Sequence, residues 1–141
     1  MEFRKPELLS YMRGHRLAVV SSVGSEGEPQ SALVGIAVSA LCDVIFDTVV
    51  DSRKHANLSR DPRASIVFAG PGEQTLQVEG IAKRVAVSGT KDADLRSVYY
   101  EVWPDGRERV KWPNLSYWCI VPRWARYSDF NRGPLIQEFC W

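Results

Sequence analysis

The chain has 141 residues, of which 45% are hydrophobic and 25% charged, as in ordinary soluble globular proteins. This length fits one domain, residues 1–141, built around a single core. Lysine and arginine number 18 against 17 acidic residues, so the formal charge is only +1 and the basic excess of a nucleic-acid-binding protein is missing. No apolar run approaches the roughly 20 residues that cross a bilayer. We therefore predict a protein with no nucleic-acid partner and no membrane span.

The N-terminal segment and the cysteines both indicate a cytoplasmic protein. Residues 1–14 are charged and contain no apolar stretch typical of a signal peptide. Cys42, Cys119 and Cys140 are odd in number, scattered, and form no Cys-x-x-Cys pair. This pattern favours free thiols in a reducing compartment over disulfides or a zinc site. The two histidines also do not stand at the sequence spacing of metal ligands from each other, from a cysteine or from a pair of acidic residues. We therefore predict no metal site.

The first half of the chain alternates strand patterns with two short helices. The predicted elements are a helix from Pro6 to Gly14, strands over residues 16–22, 31–38 and 44–48, and a helix over 51–60 capped by Asp51 or Ser52. Residues 31–38 are apolar at nearly every position, which indicates a strand covered on both faces.

The second half continues with strands and one more helix. The patterns predict strands over residues 64–69 and 75–87, a helix over 91–102, and a last strand over 117–127 bent at Pro122. Gly80 in the middle of its strand indicates a bulge or a close backbone approach. Because the strands dominate and follow one another closely, the fold class is mainly β, an antiparallel barrel with a few helices.

One segment carries the strongest chemical signal, where the strand ending at Thr48 leads into the helix that begins near Ser52. A helix N-terminus presents free backbone N–H groups and a partial positive charge, which suit a phosphate. Arg53 adds a planar fork for two phosphate oxygens, and Lys54 adds a point charge. The same residues also fit an ordinary basic, solvent-exposed helix, so the pattern alone leaves both interpretations open.

The ordered motifs of the chain resemble a known family. The sequence Thr48-x-x-x-Ser-Arg-Lys54, then Asn57-Leu58 and Asp61-Pro62-Arg63, is similar to the flavin mononucleotide (FMN) phosphate segment of pyridoxamine 5'-phosphate oxidase-like proteins. The resemblance extends to residues 15–22, to the Gly-x-x-Gly-x-Pro turn at 24–29, and to residues 76–82. It implies an FMN-binding split barrel with antiparallel, Greek-key-like strands.

The resemblance also implies roles for individual residues. Ser52, Arg53 and Lys54 would hold the FMN phosphate, with Thr48 near the phosphate or ribityl chain. The flavin ring would border residues 32–36, and a polar group would come from the strand of Thr75 and Gln77. The family implies a homodimer with the site at the subunit interface, completed by the last strand of the second subunit. The predicted cofactor-binding residues outside the phosphate segment are Leu33, Val34, Gly35, Ile36, Gln77, Trp124 and Arg126.

By this resemblance we expect a flavin-dependent oxidoreductase that acts on an unknown small molecule. The alternatives are a flavin-binding or carrier module without turnover, an F420-dependent reductase on the same fold, and a haem protein. Haem requires an axial ligand, for which His15 and His55 offer little, and it ranks last. The family's Arg-Leu-His substrate signature is missing near Arg126, so pyridoxamine phosphate is not the expected substrate. No catalytic side chain is identified.

Overall fold

A computed structural model of the chain describes residues 4–141, apart from the side chain of Arg132. The first three residues, part of the segment used above to argue against a signal peptide, lie outside the described residues. Within the described residues the strands are β1 (Leu17–Val23), β2 (Pro29–Gly35), β3 (Ala37–Val38), β4 (Val44–Val49), β5 (Arg63–Ala69), β6 (Gln74–Val85), β7 (Leu115–Asp129) and β8 (Leu135–Cys140). The α-helices are α1 (Lys5–Arg13), α2 (Arg53–Arg60), α3 (Ala93–Val102) and α4 (Gly106–Arg109), with a 3-10 turn at Phe130–Arg132.

The strands form one curled antiparallel sheet, which confirms the predicted split barrel. Its strand order is β2-β1-β5-β6-β7-β4-β3, and β8 pairs with β7. The concave face encloses the main core, because alternate residues of each strand point inward. Val20, Ile66, Val78 and Ala125 stand in register across β1, β5, β6 and β7, and all four are buried.

Helices cover the openings of the half-barrel. On α1, Leu8 and Met12 are fully buried in the main core. Leu58 of α2 enters the same core. Helix α3 packs its Tyr99 against Tyr117 of β7 in a second apolar cluster. Helix α2 therefore packs beside β1, whereas α3 packs beside β3 and β4.

The predicted irregularity at Gly80 is a β-bulge. Glu79 pairs with Trp124 and Gly80 pairs with Pro122, so Arg123 is the extra residue on β7. A Cβ atom on Gly80 would lie 2.5 Å from the carbonyl oxygen of Val121, so only glycine fits. The bulge bends β7 and changes the direction of the side chains around it.

The structure corrects the prediction of one doubly covered strand over residues 31–38. The strand breaks at Ile36, where the chain stops pairing with β1 and begins pairing with β4. Its first part, β2, is an edge strand with an open outer face, and Leu33 is 65% exposed there. The apolar run thus reflects a change of strand partner that local sequence does not encode.

Helix α4 and strand β8 were not predicted. Helix α4 has only 4 residues and begins at Gly106, a poor helix former, so no periodicity marks it. Strand β8 follows a left-handed residue at Gly133 and pairs only along β7. Strand β8 forms through its long-range pairing with β7. The strand over residues 117–127, which was predicted to be the last, is therefore followed by another strand.

Candidate anion-binding site at the start of helix α2

The site begins with the N-cap of α2, which is Ser52 rather than Asp51. The Ser52 hydroxyl oxygen accepts a hydrogen bond from the His55 backbone N–H at 3.2 Å. It also accepts one from the Thr48 hydroxyl at 2.9 Å. Both bonds use lone pairs of Ser52, so its own O–H proton remains available to a ligand. Strand β4 and helix α2 thus deliver the predicted Thr48 and Ser52 to one point.

Arg53 and Lys54 follow the cap and line a small open pocket. Among the described residues, neither side chain has an ion pair or a hydrogen bond. Burial lowers the pKa of Lys54, although the negative charge of Asp47 acts in the opposite direction. An unpaired, partly buried ammonium is stabilised by an incoming anion. The pocket measures about 130 Å³, and its other walls are Val20, Ser22, Gln30, Ser31 and Ala32.

Asn57 fixes this helix against the strands that form the pocket wall. Its buried side-chain amide donates to Ser22 Oγ at 3.0 Å and to Gln30 Oε1 at 2.9 Å, and its oxygen accepts from Arg60. The amide therefore sets the distance between the start of α2 and β2. In the sequence Asn57 was only part of a motif, and its positioning role required the structure.

Two carboxylates that would weaken anion binding are directed elsewhere. Asp51 is exposed and accepts a hydrogen bond from Asn114 at 3.3 Å. Asp47 accepts from Arg109 Nε at 2.7 Å, and both side chains are about four-fifths buried. Because Arg109 neutralises Asp47, the charge of Lys54 remains uncompensated by a direct ion pair. No sequence motif links Asp47 to Arg109, which lies 62 positions away.

The β2 residues predicted to border a flavin ring divide into two groups. Val34 and Ile36 are buried in the core, whereas Leu33 projects outward. The space above Gly35 is filled by this chain's own Trp103, since a Cβ there would lie 2.7 Å from the indole ring. The Trp103 indole also donates to the Ile36 carbonyl at 2.9 Å. The exposed edge of β2 next to the pocket is therefore formed by Ser31, Ala32 and Leu33.

The other predicted residues are not among those that line this pocket within one chain. Gln77 pairs with Arg126 across β6 and β7, and Trp124 lies two residues earlier on β7. Strand β7 stands four positions from β2 in the strand order of the curled sheet. The Nε atom of Arg126 is buried without a hydrogen-bond partner among the described residues. Their contact with a flavin stays a prediction that requires a second copy.

Both histidines are engaged by the protein itself. The Trp118 indole donates to His55 Nδ1 at 3.2 Å, and the Ser116 hydroxyl lies 3.0 Å from the same atom. Burial, followed by the nearby Arg84 charge, lowers the pKa of His55. Its proton therefore sits on Nε2, which leaves no lone pair for a metal. Both ring nitrogens of His15 face backbone carbonyl oxygens, of Tyr11 on one side and of the β5–β6 turn on the other.

Residues 4–141 contain neither a cluster suited to a metal ion nor a helix suited to span a membrane. No cluster of three or more histidine, cysteine or acidic side chains is placed to hold a metal ion. No helix in this part of the chain is long and apolar enough to cross a membrane.

The fold and the site define a split barrel with a cationic pocket at a helix N-terminus. The family profile described as pyridoxamine 5'-phosphate oxidase matches residues 5–129, and the chain belongs to this family. Over 94 residues it is 28% identical to the pyridoxine/pyridoxamine 5'-phosphate oxidase of Bordetella pertussis. The match covers 66% of this chain but only 42% of that protein, so the chain spans less than half the length of this curated relative.

Solved structures show the same fold at low sequence identity. A heme binding protein from Mycobacterium smegmatis superposes with a TM-score of 0.80 and 17% identity, over 94% of this chain and 55% of that one. A pyridoxamine 5'-phosphate oxidase-related, FMN binding protein from Nostoc punctiforme gives 0.71 and 13%, over 100% and 97%. The fold thus occurs with two different cofactors, and the choice between them depends on the side chains of each chain.

Proposed function

We propose that this protein binds FMN through its phosphate at the N-terminus of α2 and acts as a flavin-dependent oxidoreductase on a small molecule. The observation that carries the proposal is the unpaired state of Arg53 and Lys54 beside the free Ser52 hydroxyl proton. A guanidinium, an ammonium, a hydroxyl and helix N–H groups form a donor set that matches a phosphate dianion. Membership of the family supports the same cofactor.

Each residue of the pocket has a separate role in binding FMN. Arg53 and Lys54 bind phosphate oxygens, Ser52 donates its hydroxyl proton to a third, and Thr48 holds Ser52 in place. Asn57 fixes the helix, and Ala32 and Leu33 offer an apolar edge beside the pocket. A bound flavin would supply hydride and electron transfer, which no side chain of this pocket provides. The pocket-lining residues contain no candidate acid or base besides Lys54, consistent with chemistry carried by the cofactor.

A homodimer would complete the site. Leu33, Val19 and Val67 stand in register on the outer face of the sheet, and Leu17 lies beside them. Leu17, Leu33 and Val67 are 50%, 65% and 42% exposed, so they form a contiguous apolar patch. Such a patch is stabilised by burial against a second copy. Trp124 and Arg126, both half-buried on β7, would then face the flavin of the other subunit.

The side chains favour flavin over haem. His55 offers no nitrogen lone pair and both nitrogens of His15 face carbonyl groups, so neither is placed as an axial ligand. Cys42 and Cys119 are buried, and burial raises the pKa of both thiols, which disfavours thiolate ligation. These free thiols also agree with a cytoplasmic location.

The test is retention of FMN by purified protein. The protein is incubated with excess FMN, passed through gel filtration, and the flavin absorption of the dimer peak is measured between 300 and 600 nm. We expect one FMN per subunit for the natural sequence and none for Arg53→Ala/Lys54→Ala, which elutes as the same dimer. Steady-state reduction of the bound flavin by NAD(P)H and reoxidation by an acceptor then separates an oxidoreductase from a carrier.

A matched control removes two cations outside the pocket. Arg107→Ala/Lys111→Ala changes the net charge equally, at exposed positions of and just after α4, and should keep FMN. Full FMN retention by the Arg53→Ala/Lys54→Ala variant would overturn the phosphate assignment. A single band near 420 nm instead of twin flavin bands would indicate F420 or haem.

A further inference from the structure

A groove crosses the outer face of the sheet, on the side opposite the main core. Ser21 of β1, Ser65 of β5 and Glu79 of β6 stand side by side in it, each next along its strand to a residue buried in the core. The groove has a volume of about 580 Å³, within the range of small-molecule sites. Val20 and Ala32, which line the pocket at α2, point to the other face. The groove is therefore a separate candidate site.

One end of the groove has an apolar wall. Val23 and Ile81 lie two residues beyond Ser21 and Glu79 along the same strands, so their side chains point to the same face. Pro29 of β2 stands opposite Val23 and lines the groove as well. A ligand with an apolar group gains binding free energy by covering these side chains.

Three charged side chains line the groove, and two of them have no partner. Arg63 forms a 2.6 Å ion pair with Asp61, and its hydrogen bonds lower the pKa of Asp61 to about 2, so this pair stays ionised with no net charge. Neither the guanidinium of Arg123 nor the carboxylate of Glu79 has a hydrogen bond or an ion pair in the part of the chain that the structure describes. The groove thus carries one free cation and one free anion.

The β-bulge brings these two charges to the same groove. Glu79 stands opposite Trp124, and Arg123 is the extra residue just before Trp124 on β7. In a regular strand, neighbouring residues point to opposite faces, so Arg123 would point away from the face of Glu79. The bulge interrupts this alternation, and Arg123 lines the groove together with Glu79.

A ligand with a single charge does not suit this pair of groups. An anion is attracted by Arg123 but repelled by Glu79, and a cation meets the reverse. A zwitterion presents its anionic group to the guanidinium and its cationic group to the carboxylate, so both contacts are favourable. Ser65, which stands opposite Glu79 and has no side-chain hydrogen bond among the described residues, can bind either group through its hydroxyl.

We propose that this groove binds a small apolar amino acid in its zwitterionic form. Arg123 binds the carboxylate of the ligand, and Glu79 binds its ammonium group. The apolar side chain of the ligand packs against Val23, Pro29 and Ile81. The proposal goes beyond the proposed function, because it requires no flavin at α2.

The experiment titrates the purified protein with L-leucine by isothermal titration calorimetry. N-acetyl-L-leucine keeps the carboxylate and lacks the ammonium, whereas L-leucine methyl ester keeps the ammonium and lacks the carboxylate. Glycine keeps both charges and lacks the apolar side chain. We expect saturable binding of L-leucine and at least about tenfold weaker binding of the other three compounds.

Two variants locate the binding in the groove. Arg123→Ala and Glu79→Gln should each weaken L-leucine about tenfold, and neither should lower the melting temperature, because neither side chain has a partner to lose. Arg107→Ala and Glu73→Gln remove exposed charges outside the groove and are the matched controls. Both controls should bind L-leucine like the natural sequence.

Three results would overturn the proposal. The first is the absence of saturable binding at up to about 10 mM L-leucine. The second is equal affinity for L-leucine and either charge-deleted analogue, because one of the two charges would then make no contact. The third is unchanged L-leucine affinity in both Arg123→Ala and Glu79→Gln. FMN retention, measured on the same preparation, tests the site at α2 separately.

Discussion

Arg109 of α4 and Arg53 at the start of α2 have opposite surroundings: the first is paired within the fold and the second is not paired among the described residues. Arg109 of α4 binds Asp47 at 2.7 Å and Asp105 at 2.5 Å, and it donates to the Tyr99 hydroxyl. Arg53 of α2, by contrast, has no partner from the described chain and faces a pocket. A guanidinium whose partners are built into the fold stabilises that fold. One left without a partner at a helix N-terminus is available to a ligand.

The largest expected effect is the loss in the free energy of unfolding when Arg109 is replaced by alanine. Arg109→Ala leaves the largely buried carboxylate of Asp47 uncompensated, so we expect a loss of about 2–3 kcal/mol in the free energy of unfolding. Urea denaturation measures it, with the exposed Arg107→Ala as the control. A loss no larger than that of Arg107→Ala would show that the Arg109 cluster contributes nothing to the fold.

The next effect is the pH dependence of FMN binding, which reports on Lys54. Only the charged ammonium binds phosphate, and burial lowers the pKa of Lys54 below its usual value. Affinity should therefore fall about tenfold as pH rises through that lowered pKa, at a pH below the 10.5 of an ordinary lysine. Lys54→Arg keeps its charge over this range and should flatten the profile. Identical profiles for the two proteins would exclude Lys54 from the phosphate site.

The smallest expected effect is the stability change at Arg53, and the comparison depends on its being small. Arg53→Ala removes no hydrogen bond or ion pair within the described residues, so the free energy of unfolding should change by less than about 0.5 kcal/mol. FMN affinity should fall by about tenfold in the same variant. A stability loss as large as that of Arg109→Ala would mean that Arg53 has a structural role.

The sequence was sufficient for features that depend on local spacing. The first helix, the cap of the second helix at Asp51 or Ser52 and the irregularity at Gly80 all follow from patterns of a few residues, and the structure confirms them, with the cap at Ser52 and a bulge at Gly80. The proximity of Thr48, Ser52, Arg53 and Lys54 could also be predicted, because the strand end, the cap and the basic residues are contiguous. Local order carries this information since each feature needs only its near neighbours.

Other features required contacts between distant residues. The break at Ile36 arises because the chain changes strand partner there, and β8 exists through its pairing with β7. Asn57 acts on Ser22 and Gln30, 35 and 27 positions away, and no period links them. Ser31, Ser21, Ser65 and Glu79 stand side by side only through the registers of four strands. These contacts between distant residues arise only when the sheet is assembled, so the sequence alone does not predict them.

The most direct test of the central claim compares FMN with riboflavin, which lacks the phosphate. If Arg53 and Lys54 bind that group, riboflavin should bind at least about 100-fold more weakly than FMN to the natural sequence. Arg53→Ala/Lys54→Ala should lower FMN affinity to the riboflavin level and leave riboflavin unchanged. Equal affinities of the natural sequence for the two flavins would contradict the account, because the unpaired cations would then have no phosphate to bind.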